Sequence, residues 1–211
     1  MEYCERCGPG LLDEPINAST NVAFFIAAWG AWLLAKHRQR LSTGIWMLIG
    51  LAVSIGIGSG LWHTFATPWA EALDRIPILI FQLVFLWLYI RGIMSFRLHL
   101  AAAFITGFVL IGFLATLLPP ILDRSLNFYG PALLLLVGLS IYHYRRCKRE
   151  RLILLAAAGV FLLAILFRSI DLLVCSYVPI GTHFLWHILN GFNVYLAMRS
   201  LIVSQEEKIT V

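Results

Sequence analysis

The sequence predicts an all-α integral membrane protein: a single bundle of seven transmembrane helices, N-terminus outside and C-terminus in the cytoplasm. Three observations predict it. Of 211 residues, 60% are hydrophobic and 13% charged, whereas a soluble domain carries about 25% charged residues. Seven apolar runs follow one another, each long enough or nearly so for a helix crossing ~30 Å of hydrocarbon. The basic residues gather between alternate runs, the pattern of cytoplasmic loops. No polar interval could fold into a separate soluble domain. Residues 1–211 therefore read as one domain, with 1–16 a short outer acidic tail and 203–211 a cytoplasmic tail.

Met1 to Asn17 lacks a basic n-region and a small-residue cleavage site, so no signal peptide is expected. The first run, Asn17–Ala35, ends at the basic group Lys36, Arg38 and Arg40. The second, Gly44–Trp62, contains Gly56-Ile57-Gly58-Ser59-Gly60, small residues that allow close helix packing. A short loop carrying Asp74 leads to the third, Ile76–Ile90, which is short and can be extended by flanking residues. The fourth is Leu98–Leu118, and the fifth, Leu126–Tyr142, runs into the basic loop Arg145 to Arg151. The sixth, Leu152–Phe167, is again short, and Ile180–Met198 is the seventh. Brief connections make neighbours antiparallel. There is no internal repeat and no low-complexity segment.

Charge sets the orientation. With the N-terminus outside, twelve basic residues lie inside (Lys36, Arg38, Arg40, Arg91, Arg97, Arg145, Arg146, Lys148, Arg149, Arg151, Arg199 and Lys208). Only Arg6, Arg75, Arg124 and Arg168 lie outside. Glu150, Glu206 and Glu207 are the inner acids; the other eight are outer. The net charge of +5 thus serves topology rather than an acidic partner, and nothing points to nucleic acid or an obligate protein partner. Small size and the absence of sorting signals favour a bacterial inner membrane over an endomembrane.

The same frame sorts the histidines. His37, His99 and His143 sit near inner helix ends, whereas His63, His183 and His187 share the outer depth. His183 and His187 are four apart, hence on one helical face. Three imidazoles with an open fourth position form the ligand set of catalytic zinc, and a structural hydrogen-bond cluster is the alternative. Asp74 is placed to hold and deprotonate a water, or to be a fourth ligand. Ser59, one turn before His63, could donate to a developing oxyanion or serve only as a small packing residue. Glu2, Glu5, Asp13 and Glu14 gather hard oxygens in the tail, suited to calcium or simply to solvation. Cys4, Cys7 and Cys175 share the outer face, where thiols can be oxidised. One of the three is left over, and the residues alone do not choose the pair.

Ser59-x-x-x-His63 followed by Asp74, His183-x-x-x-His187 opening the last helix, Tyr3-Cys4-Glu5 and Glu14-x-x-Asn17 with Asn21 beyond together resemble the alkaline ceramidase family. That family lies within the CREST superfamily of seven-helix membrane hydrolases, which also takes in the adiponectin and progestin receptors. The resemblance covers nearly the whole chain. It implies a zinc amidase, with His63, His183 and His187 holding the ion, Asp74 activating water, and Ser59 steadying the metal site or the oxyanion. It also implies a calcium site on Glu2, the Tyr3 carbonyl, Glu5 and Glu14, and a Cys4–Cys175 disulfide. Two positions depart from the pattern. Glu2 stands for a shorter aspartate, and Cys7 for an asparagine ligand. The function expected is zinc-dependent hydrolysis of a ceramide-like lipid to a sphingoid base and a fatty acid. The alternatives are hydrolysis of another lipid amide or ester, or a receptor-like protein with structural zinc.

Overall fold

The computed structural model describes residues 3–8, 10–120, 124–146 and 149–204, and among them there is no strand. The helices are α1 (Pro15–Thr20), α2 (Val22–His37), α3 (Thr43–Phe65), α4 (Pro68–Gly92), α5 (Leu98–Thr116), α6 (Arg124–Arg146), α7 (Ile153–Ile170) and α8 (His183–Ser204). A 3₁₀ turn, Asp171–Leu173, follows α7. α1 and α2, parted only by Asn21, make one 23-residue unit, Pro15–His37. The result is a helical membrane bundle.

Six of these units are long and apolar enough to cross a membrane. The remaining long helix, α8, has 22 residues but carries His183, His187, Asn190, Asn193 and Arg199 on its sequence. Its surroundings account for that composition. α8 packs against α7, α2, α1, α3 and α4, so most of its surface meets protein rather than lipid. α5 is the opposite case: only Ala101 is buried, and Leu110, Ile111, Phe113 and Leu114 face outward. Burial of apolar surface cannot drive helices together in lipid, so close fit must. Gly58 shows it, because a Cβ there would lie 2.0 Å from the Leu73 carbonyl oxygen. That approach of α3 to α4 brings the Ser59 and Asp74 backbones side by side.

The structure corrects the expected start of the third helix. α4 begins at Pro68, not Ile76, and the connection from α3 is only Ala66 and Thr67. Asp74 therefore rides on a helix rather than following a loop. Pro68 suits the first helical position, where no N–H is needed. Glu71 and Arg75 then pair across one turn at 2.5 Å, and these charges lower hydropathy without opposing the helix. Ala66, at φ 46°, closes α3 in the left-handed conformation.

The tail folds back over one end of the bundle. Cys4 and Cys175 form a disulfide, with Cα atoms 5.3 Å apart, and Cys7 is free and exposed. The buried Asp171 carboxylate stitches the same region. One oxygen accepts from the Cys4 N–H at 2.9 Å. The other accepts from the N–H groups of Thr182 at 2.6 Å and His183 at 2.9 Å, satisfying donors that the start of α8 would leave orphaned. Gly181, at φ +67°, makes the turn into α8; a Cβ there would strike Asp171.

Candidate metal centre

Two helix ends meet beneath the tail. His63 comes from the last turn of α3, and His183 and His187 from the first two turns of α8. All three are 1% exposed. Their ring centroids lie 5.1 Å (His63–His183), 4.7 Å (His63–His187) and 4.7 Å (His183–His187) apart. One ligand atom from each falls within 4.8 Å of the others. The spacing His183-x-x-x-His187 thus does put both rings on one face.

Neighbours fix the rings. Glu14 Oε2 takes His63 Nδ1 at 2.5 Å, leaving Nε2 as its other nitrogen. The Thr20 hydroxyl meets His187 Nδ1 at 3.0 Å, and Tyr3 stacks on His183 with centroids 3.9 Å apart. Buried polar atoms are nearly always hydrogen-bonded, yet His183 Nδ1 and His187 Nε2 have no partner. Orphaned imidazole nitrogens in a cluster of three histidines fit a borderline-soft divalent ion, and outer partners such as Glu14 and Thr20 are what hold metal-binding imidazoles in place. The donor set fits zinc.

Ser59 is buried one turn before His63, with its hydroxyl within side-chain hydrogen-bonding reach of the Asp74 carboxylate. Asp74 stands apart from the three-histidine cluster of ligand atoms while sharing the electrostatic neighbourhood of His63 and Arg168.

Of the acids expected to bind calcium, Glu5 and Glu14 are engaged otherwise. Glu14 spends one oxygen on Arg6 and the other on His63 and, at 3.0 Å, Asn17 Nδ2. Burial acts to raise its pKa, but the hydrogen bonds from His63, Arg6 and Asn17 prevail and hold it below the usual carboxylate range. Glu5 accepts from the N–H groups of Ile16 at 2.7 Å and Asn17 at 2.8 Å, closing the N-terminus of α1. The Tyr3 carbonyl faces the Arg6 N–H at 3.4 Å. Glu2 lies outside the described residues.

Sequence reasoning misses two functional neighbours. Arg168, in the sequence simply one of four outer basic residues, turns inward at the end of α7. It donates to Ser125 Oγ at 3.0 Å and the Tyr3 hydroxyl at 3.2 Å, with its guanidinium 5.5, 5.7 and 5.2 Å from the Tyr3, Tyr129 and Trp186 rings. A lone arginine closing an apolar run is the signal that could have found it. Asp171 offers none, since it caps a helix that starts twelve residues later.

Beyond Arg168 the bundle is hollow. A cavity of about 100 Å³, walled by Phe81, Phe85, Tyr129, Leu136, Phe161 and Trp186 among others, lies between α4, α6, α7 and α8. A second, of about 340 Å³ between α4, α5 and α6, shares Ile78, Gln82, Phe108 and Tyr129 with it. Tyr129 and Trp186 line this apolar chamber and also flank the Arg168 guanidinium.

A family model described as Ceramidase matches residues 10–209, nearly the whole chain. The chain belongs to the ceramidase family. No curated protein matches it. The family match spans all the helices, so His63, Asp74, His183 and His187 of this ceramidase-family chain all fall inside it.

Proposed function

We propose that this protein is a zinc-dependent membrane amidase that hydrolyses ceramide-like lipids to a sphingoid base and a fatty acid. The observation that carries this reading is the cluster of His63, His183 and His187, buried and partly unpartnered, with Asp74 in the electrostatic neighbourhood of His63. Family membership supplies the substrate class. A zinc held there would polarise an amide carbonyl and acidify a water.

The chain's own residues do the rest. The apolar chamber takes an acyl chain, and Tyr129 and Trp186 align it with the histidines. Asp74 receives the proton of the attacking water and returns it to the amide nitrogen, which must be protonated to leave as an amine. Ser59 donates toward the oxygen that gains charge, or holds Asp74 in its rotamer. The receptor-like alternative is less well supported, because structural zinc sites are normally closed by four protein ligands and among the described residues this cluster offers three. Incubating the purified protein with a ceramide, an ester of matched chain length and a glycerophospholipid tests the substrate class. Release of sphingoid base from the ceramide fastest is expected; cleavage of the ester alone would replace the amidase reading with an esterase.

All seven long units cross the membrane in this reading, with the tail and metal centre outside and the Arg145–Arg151 loop in the cytoplasm. Reversing the chain would put twelve basic residues on the wrong side. Cys7 is exposed, whereas Cys147 lies outside the described residues and within the inner basic stretch. A thiol reagent that cannot cross membranes should label Cys7 in sealed cells and miss Cys147. Efficient labelling of Cys147 would invert the topology.

A further inference from the structure

We propose that Arg6 takes the place of the calcium ion implied for the N-terminal tail, so that this chain braces its metal centre without calcium. Calcium needs 6–8 oxygen ligands. Among the described residues implied as its ligands, the oxygens are already committed to the protein's own donors. Glu14, 2% exposed, meets the Arg6 Nε with one oxygen and His63 Nδ1 and Asn17 Nδ2 with the other. Glu5 gives both oxygens to backbone N–H groups of α1. The Tyr3 carbonyl faces the Arg6 N–H. Cys7, where the family pattern has an oxygen ligand, is exposed and offers a soft sulfur.

Arg6 does what a bridging cation would do. Its Nε holds the Glu14 carboxylate, and its Nη2 donates to the His63 carbonyl at 3.0 Å. One guanidinium therefore ties the backbone of His63 to the carboxylate that orients its ring. Its planar fork makes both bonds at fixed geometry, and its positive charge would repel a dication at the same place. Arg6 is a positioning residue: it acts on the metal centre through Glu14 and His63. The inference rests on the metal-centre reading for the role of His63.

The test needs no lipid hydrolysis, so its outcome is separable from that of the amidase reading. Purified full-length protein, with zinc held constant, is analysed for bound calcium and zinc, and its Tm is measured in calcium-free buffer, 1 mM CaCl2 and 1 mM MgCl2. Extracellular calcium sites bind at about 10⁻⁴–10⁻³ M, so 1 mM would fill half or more of one. The expected result is no stoichiometric calcium and the same Tm in all three. Arg6→Gln should lower both Tm and zinc content, and Arg6→Lys should recover part of each. Bound calcium at one per chain, or a saturable rise in Tm with CaCl2 and not MgCl2, would overturn the proposal. So would Arg6→Gln with wild-type Tm and zinc content. If Arg6→Gln does not fold, the calcium measurements on the unmutated protein decide alone.

Discussion

Replacing Asp74 with asparagine should remove most lipid-amide hydrolysis while leaving zinc in place. The carboxamide keeps the size of the side chain and can still meet the Ser59 hydroxyl, but it cannot take a proton from water. General-base contributions are typically about 10²–10⁴-fold, so the loss should be plain in a ceramide-cleavage assay. Zinc should stay because Asp74 stands outside the cluster of ligand atoms. Ser59→Ala should cost less, since the metal already polarises the carbonyl. Near-full hydrolysis by the Asp74→Asn protein with zinc bound would show that the proton goes elsewhere.

Alanine at His63, His183 or His187 should give a different pattern, with zinc content and hydrolysis falling together. Each substitution removes one of three ligands and leaves a buried void next to the other two rings. The His63 variant should also release Glu14, whose carboxylate would lose its 2.5 Å partner while remaining buried, so its Tm should fall as well. His99→Ala is the matched control, because His99 is exposed at the start of α5, far along the chain from the cluster. If any of the three retains full zinc with full activity, that histidine is not a ligand.

Much of this arrangement is legible in the sequence. Apolar runs mark helices because every backbone polar group in lipid must be satisfied within its own segment. The i, i+4 spacing of His183 and His187 is enough by itself to put two rings on one face. The start of α4 is harder to read, because Glu71, Asp74 and Arg75 interrupt the hydropathy while leaving the helix intact. α8 shows the same limit from the other side: shielded by its neighbours, it tolerates polar residues that a lipid-facing helix would not. The pairings that position the site are not legible at all. Glu14 to His63, Thr20 to His187 and Asp171 to the N-terminus of α8 join residues 49, 167 and 12 positions apart, and no local pattern encodes them. Arg6 is the sharpest instance, since only its contacts distinguish a built-in cation from a solvated charge.

The central claim is that three histidines hold a zinc ion that makes this protein a lipid amidase. Purified protein should be stripped of metal, reloaded with zinc, and assayed at each stage for zinc content and for sphingoid base released from ceramide by mass spectrometry. The account predicts that hydrolysis disappears with the metal and returns in proportion to zinc restored, reaching its maximum at one ion per chain. Protein that holds zinc at that stoichiometry and releases no sphingoid base, or hydrolyses ceramide equally well without metal, would contradict it.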